Sequence, residues 1–330
     1  MKKLLSLLLV AVAAHVLWAQ PVCKAPQFLR AGDKIAVIAP SSAAPSKYFD
    51  DGCAALRSWG LVPVVGPNAK KQYHLWAGTV EQRKNDLLWA LRDTTIKAIM
   101  CVRGGYGASQ LLYEIPLDTL KRYGGKWLVG YSDITALHSG LVCAGHMSIH
   151  GSMCGRLAKT GGTDSLSVML RDLLFGTLPR YTVKGHKWNV PGHAQGVLIG
   201  GNLSVLVNFA GGAPYDFLDR DFIKDKDIIL FFEDVSESIS RVSSMFYQLK
   251  VRGIIDHVRG IIVGHFDEYE PSKGYADMCD MLHEFMGRND IPICYDFPTS
   301  HDEQVNYPLI EGCPVTLNVT EKSVTLDFNR

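Results

Sequence analysis

The sequence has no C-x-x-C pair, no His/Cys spacing suited to zinc, no G-x-G-x-x-G fingerprint and no glycine loop ending in Gly-Lys-Ser/Thr. A metal site, a dinucleotide site and a phosphate loop therefore have no motif to rest on, and neither metal nor cofactor is expected. A basic block is missing too. Without Lys2 and Lys3 the 34 basic residues fall to 32, against 33 acidic ones, which leaves no electrostatic footprint for nucleic acid. Beyond the N-terminus no apolar run reaches membrane-spanning length, so no span is expected in the mature chain. Cysteines are present but never clustered, standing at 23, 53, 101, 143, 154, 279, 294 and 313. Cys101, Cys143 and Cys294 lie in apolar runs, where a thiol behaves as a small hydrophobe, and no particular bridge is predicted.

What remains is the composition of a folded protein. Apolar residues make up 47% and charged ones 20% of 330 positions, enough for two domains of ordinary size. The N-terminus stands apart. Lys2 and Lys3, the apolar stretch Leu4 to Val12 and the small residues before Ala19-Gln20 follow the order of a secretory signal peptide. Residues 1–19 are read as that signal and the mature chain as exported and periplasmic, with an uncleaved anchor as the competing reading. Cys23 is not read as a lipoprotein site, because Gln20-Pro21-Val22 lacks the small residues such processing needs.

Short strands and helices then alternate. Lys34 to Ala39, Leu61 to Val65, Ala98 to Val102 and Trp127 to Val129 read as strands, with helical patterns at Tyr48 to Trp59 and Glu81 to Leu91. The alternation predicts an α/β fold over residues 20–155, with a doubly wound, mostly parallel sheet of Rossmann or flavodoxin type covered on both faces. Ligands of such sheets bind beyond the carboxyl ends of the strands. Residues 156–195, polar and interrupted by Gly161-Gly162 and Pro191, read as a linker. A smaller C-terminal α/β domain rich in β-strands is expected over 196–330, with very apolar runs at Ile228 to Phe232 and Ile261 to Phe266.

Ser132 falls where the strand Trp127-Leu128-Val129 gives way to a helical pattern. A serine at such a turn exposes its hydroxyl beside N–H groups that have no intrahelical partner and that favour an oxyanion. Ser132 and Asp133 are equally readable as ordinary helix caps. The turn Arg103-Gly104-Gly105-Tyr106-Gly107 can aim backbone N–H groups at an anion or simply reverse the chain. Glu233 and Asp234 close a strongly apolar strand, where a carboxylate either orients a histidine or serves as a cap or ion pair. His301, in a polar loop, reads as a general base or as a solvated surface residue. His265 ends a strand and rivals it, His138 reads as packed on its helix, and His150 is placed to line the same edge.

Further segments stand between these in a fixed order. They include Gly32-Asp33-Lys34-Ile35, Ala39-Pro40-Ser41-Ser42, Ala77-Gly78-Thr79 with Gln82-Arg83 and Asp86-Leu87, His150-Gly151 and Gly200-Gly201-Asn202-Leu203. As an ordered set the chain resembles the LD-carboxypeptidases, or muramoyltetrapeptide carboxypeptidases, a family of serine peptidases. The resemblance implies a Ser-His-Glu triad assembled from two domains, with Ser132 as nucleophile, His301 as general base and Glu233 as the orienting carboxylate. It favours His301 over His265. It further implies that the N–H groups of Asp133 and Gly105 receive the oxyanion, with Gly104 and Tyr106 beside them.

The implied substrate is a murein tetrapeptide, cut between the L-centre of its third residue and a terminal D-alanine through an acyl-enzyme, without metal or cofactor. Members are often homodimers, although no exposed apolar stripe marks one here. Two departures stand out. Ser300 and Asp302 flank His301 where glycines are common, and His150-Gly151-Ser152-Met153 stands where many members have His-Gly-Pro-Met. The expectation is an exported serine carboxypeptidase of peptidoglycan turnover or recycling. The alternatives are a microcin-immunity-like hydrolase of peptide–nucleotide amides and an exported muropeptide-binding protein without chemistry.

Overall fold

The computed structural model describes residues 23–271, 274–302 and 305–329, so the expected signal segment lies outside the described residues. Thirteen strands are present among them: β1 (Lys34–Ile38), β2 (Val62–Val65), β3 (Ile96–Cys101), β4 (Trp127–Gly130), β5 (Ser148–His150), β6 (Arg180–Lys184), β7 (Gly192–Asn202), β8 (Ile228–Val235), β9 (Gly260–Asp267), β10 (Ile293–Phe297), β11 (Leu309–Glu311), β12 (Pro314–Val319) and β13 (Ser323–Phe328). They form a six-stranded sheet in the order β11-β5-β4-β3-β1-β2 and a seven-stranded sheet in the order β10-β9-β8-β7-β12-β13-β6.

In the first sheet β2, β1, β3, β4 and β5 run parallel and only β11 is antiparallel. Its strands are apolar on both faces because helices cover both. Ile35, Val37, Ala98, Met100, Trp127 and Val129 pack into one core, while Ala36, Ile38, Ile99, Cys101 and Leu128 pack into another. This is the expected doubly wound sheet, in the 2-1-3-4-5 order of flavodoxin-like folds. The chain reverses direction of winding between β1 and β3, so the segments following those strands, Ala39–Ser42 and Arg103–Gly107, border the crevice where such sheets bind ligands.

The second sheet is parallel over β10, β9, β8 and β7 and antiparallel over β12, β13 and β6. The segment expected as a linker carries more structure than a connection. It contains most of the helix Cys154–Thr160, the helix Ser165–Leu174, β6 and the start of β7. Its polarity has a physical reason. β6 is an edge strand that buries Tyr181 and exposes Arg180, Thr182 and Lys184, so a half-solvated strand reads as a loop.

The two sheets are stitched together by side chains and by one strand. β11 leaves the C-terminal part of the chain to pair with β5, Leu309 opposite His150. Thr135 Oγ1 accepts the N–H of Asn202 at 3.1 Å, the Ser139 hydroxyl donates to the Tyr215 carbonyl, and Tyr215 Oη–H donates to the Ile115 carbonyl at 2.7 Å. Among the described residues no helix is long and apolar enough to cross a membrane.

Candidate active site

After β4 the chain stays extended at Tyr131, and Ser132 turns into the left-handed region at φ 64°. A short 3-10 turn, Ser132–Ile134, then leads into the helix Thr135–Cys143. A non-glycine residue at such an angle is strained by about 1–3 kcal/mol and persists where the surroundings over-determine it. The surroundings here are the glycine turn after β3 and the segment after β1. Gly104 passes so closely that a Cβ on it would lie 2.9 Å from Ser132 Cβ. Gly105 has φ 115°, and a Cβ there would collide with the Ser42 hydroxyl, which instead accepts the Tyr106 N–H at 3.2 Å.

Asp133 ties the elbow to the glycine turn. Its buried carboxylate accepts from the Ser41 hydroxyl at 2.6 Å and from the Ala108 N–H, at the start of the helix Ala108–Glu114, at 2.8 Å. It does cap a helix, but a neighbouring one. Burial raises its carboxyl above the usual aspartate value, against the opposing pull of those hydrogen bonds and of the Arg83 charge. Arg83 is a residue whose place the sequence did not disclose. It is only 2% exposed and clamps the same corner, donating to the carbonyls of Pro40 at 2.8 Å and Gly107 at 2.9 Å and to Gln110 Oε1 at 2.6 Å. Its helix, Val80–Arg92, begins with a capping box between Thr79 and Gln82.

The other half of the site comes from the second sheet. Glu233 lies within β8, fully buried, at a point where β9 carries an extra residue. Phe232 pairs with Val263 and Asp234 with Phe266, so Gly264 and His265 share the place opposite Glu233. Such bulges re-aim side chains. Glu233 Oε2 accepts a hydrogen bond from His301 Nδ1 at 2.6 Å. Burial disfavours the charged imidazole, but the charge and hydrogen bond of Glu233, with the charges of Asp234 and Asp267, outweigh it and raise the His301 pKa above its ordinary value. Asp234 serves the scaffold, accepting from Asn202 Nδ2 at 2.9 Å, Ser204 N–H at 2.8 Å and Val235 N–H at 2.8 Å. Burial, with Glu233 alongside, pushes its carboxyl up to about 6.

Ser132, Gly104, Gly105 and His301 line one cavity of about 230 Å³, with the cations Arg103, Arg156 and Lys159 at its wall. His301 Nε2 is buried and makes no hydrogen bond among the described residues, so serine and histidine share the cavity without being bonded to each other. A second cavity, of about 360 Å³, also reaches Gly105 and Ser132 and holds Tyr106 at its rim, with Trp76, Glu237 and Asn208. Ser132 thus stands on the ridge between two hollows.

The other histidines are elsewhere. His265 pairs with Asp296 at 3.2 Å and lines a separate cavity. His138 is fully buried between the Ser148 hydroxyl, 2.7 Å from Nδ1, and the Gly130 carbonyl, 2.9 Å from Nε2. Burial lowers its pKa to about 4. His150 is buried against Tyr131 and Phe231, and burial, with the neighbouring His138 and His301 imidazoles, lowers its pKa well below the ordinary histidine value. Among the described residues no group of three His, Cys, Asp or Glu side chains is arranged to hold a metal ion.

Comparison with known proteins places this architecture. Residues 35–151 match the LD-carboxypeptidase N-terminal domain and residues 195–317 match the LD-carboxypeptidase C-terminal domain. The chain belongs to the LD-carboxypeptidase family. Members of this family are serine-type peptidases. The murein tetrapeptide carboxypeptidase of Pseudomonas aeruginosa is 30% identical over 284 residues, covering 82% of this chain and 89% of that protein. The crystal structure of muramoyltetrapeptide carboxypeptidase from Oxalobacter formigenes superposes with a TM-score of 0.78 at 28% identity, covering 90% of this chain and 99% of that one. The microcin C7 self-immunity protein MccF shares the fold, with a TM-score of 0.79 at 22% identity over 92% of this chain and 98% of its own.

Proposed function

We propose that the protein is an exported serine carboxypeptidase that removes the terminal D-alanine from the L,D-bond of murein tetrapeptides, with Ser132, His301 and Glu233 as its triad. The observation that carries this reading is the Glu233–His301 pair at 2.6 Å opening onto the same cavity as a serine held at φ 64°. Kinship with a murein tetrapeptide carboxypeptidase supports the substrate class, and the basic and apolar order of residues 2–12 supports export.

The chemistry follows from the geometry. With Nδ1–H donated to Glu233, the neutral ring of His301 keeps its lone pair on Nε2. Nε2 takes the Ser132 proton as Oγ attacks the carbonyl carbon of the scissile amide, and the carbonyl π pair moves onto oxygen. Asp133 N–H, at the start of the helical turn, and Gly105 N–H, in the glycine turn, receive that oxyanion. Buried Glu233 stabilises the imidazolium. The tetrahedral intermediate then collapses, the C–N bond breaks, and Nε2–H delivers its proton to the departing amine of D-alanine. A water deprotonated by His301 attacks the ester, releasing the tripeptide acid and restoring Ser132.

The leaving amine must lie on the His301 side of the elbow. That side is the cavity with Arg103, Arg156 and Lys159 at its wall, cations suited to meet a free carboxylate, of which Arg156 is also paired with Asp164 at 2.6 Å. Mass spectrometry of tetrapeptide muropeptides before and after treatment is the test. Loss of one alanine residue by the parent, and not by Ser132→Ala, is expected. An unchanged tetrapeptide at ample enzyme would reject the reading, and cleavage confined to a peptide–nucleotide amide would favour the microcin-immunity alternative.

A further inference from the structure

β9 ends on Asp267, and the Asp267 carboxylate reaches across to the loop that follows β10. Its Oδ2 accepts the backbone N–H of His301 at 2.8 Å and that of Asp302 at 3.1 Å. Its own carbonyl accepts the N–H of Ser236 at 2.9 Å, three residues beyond Glu233. One residue thus joins the backbone that carries the carboxylate to the backbone that carries the histidine. Inside the loop, Ser300 is fully buried, and its hydroxyl donates to the Val305 carbonyl at 3.0 Å and accepts the Asp302 N–H at 3.0 Å. Of the two residues that stand where glycines are common, Ser300 thus ties the loop with its side chain and Asp302 with its backbone N–H, and Asp267 is the external anchor.

We propose that Asp267 is a positioning residue for the reaction, clamping two successive N–H groups so that the His301 ring meets both Glu233 and the cavity of Ser132. The proposal rests on the reading of His301 as general base. Two hydrogen bonds to an ionised carboxylate are charge-assisted and of the stronger kind. With the peptide at His301 fixed, only the side-chain torsions remain free, and the 2.6 Å bond to Glu233 settles those. Misplacing such a group by about 1 Å costs on the order of 100-fold in rate.

Asp267 acts electrostatically as well. Around His301 the charged and titratable groups are Glu233 and Asp234 from β8, Asp267 from β9, His150 from β5, Tyr131 after β4 with its ring 5.2 Å away, Asp302 on the loop, and, across the cavity, Arg103, Lys159 and Arg156 with its partner Asp164. Asp267 is among those whose negative charge raises the pKa of the ring. Its two effects can be separated, because asparagine keeps an accepting oxygen and loses the charge.

The experiment measures kcat, KM and the pH profile of kcat/KM on a murein tetrapeptide for the parent, Asp267→Ala, Asp267→Asn and His301→Ala. Asp267→Ala is expected to lose kcat by about 100-fold with little change in KM, as for a misplaced base. Asp267→Asn is expected to recover most of that loss while its acidic limb moves to lower pH. Should the alanine variant not fold, the shifted limb of the asparagine variant carries the test. Parent-like kcat and an unmoved limb in both Asp267 variants would overturn the proposal. Full activity in His301→Ala would overturn instead the general-base reading on which it stands.

Discussion

On one side of the cavity Ser132 is held by the packed turns of a single sheet, main chain braced by the buried side chains of Ser42, Asp133 and Arg83. Its left-handed φ, the close passage of Gly104 and the Ser42–Tyr106 contact all belong to turns at the ends of neighbouring strands of one sheet. On the other side His301 is held by side chains. Glu233 reaches it across 68 residues of sequence, Asp267 across 34, and the Ser300 hydroxyl closes the loop locally. A proposed nucleophile set among such close-packed turns leaves little room for substitution around it, because a Cβ on Gly104 would lie 2.9 Å from Ser132 Cβ and one on Gly105 would collide with Ser42. The proposed base, fixed by carboxylates, can be loosened or retuned one charge at a time. The difference makes the elbow the rigid reference and the histidine loop the adjustable part.

The largest loss is expected at Ser132, the proposed nucleophile. Ser132→Ala is expected to lower kcat by about 10⁶-fold, measured as D-alanine release, with the fold intact by circular dichroism. Glu233→Gln should cost about 10⁴-fold, because the ring loses its orienting partner and its stabilised charge. The same change also alters the electrostatics of the imidazole. Glu233 raises the pKa of His301, so the acidic limb of the parent's kcat/KM profile lies above the ordinary histidine value near 6.5 and moves down in the variant. The sign for stability is the reverse of that for activity. Protonated His301 stabilises the fold at low pH, and that contribution fades as pH rises through the raised folded pKa.

Weaker perturbations separate the two sides further. Gly201 has φ 127°, and a Cβ there would press into Thr135, one of the stitches between the sheets. Gly201→Ala is expected to destabilise by about 2–4 kcal/mol in urea unfolding, from backbone strain plus overpacking, and to lower kcat as Ser132 and His301 draw apart. The smallest effect lies within the first sheet's own cover. Thr79→Ala removes the capping box of the helix Val80–Arg92 and should cost about 1 kcal/mol by thermal unfolding while leaving kcat unchanged.

The two sides also differed in how far they could be read from sequence. The strand before Ser132 and the helix after it are contiguous, and the apolar strands alternating with amphipathic helices announce a parallel sheet. The ring of His301 could not be chosen over that of His265 from local pattern, since both lie near strand ends and differ only in which distant carboxylate they meet. The order of motifs shared with the LD-carboxypeptidases favoured His301, and the structure pairs His301 with Glu233 and His265 with Asp296. Asp267, Ser300 and Arg83 were not legible as site supports, because each acts by bonding backbone or side-chain groups remote in sequence or specific to one loop conformation. β6 was not legible either, since an edge strand with one buried face has the composition of a loop.

On the proposed mechanism Ser132 and His301 act as one unit across the two sheets. The direct test is kcat for Ser132→Ala, His301→Ala and the double variant on the same murein tetrapeptide. A double variant no slower than the slower single one is the predicted result. Losses that multiply, as for two independent contributions, would contradict it.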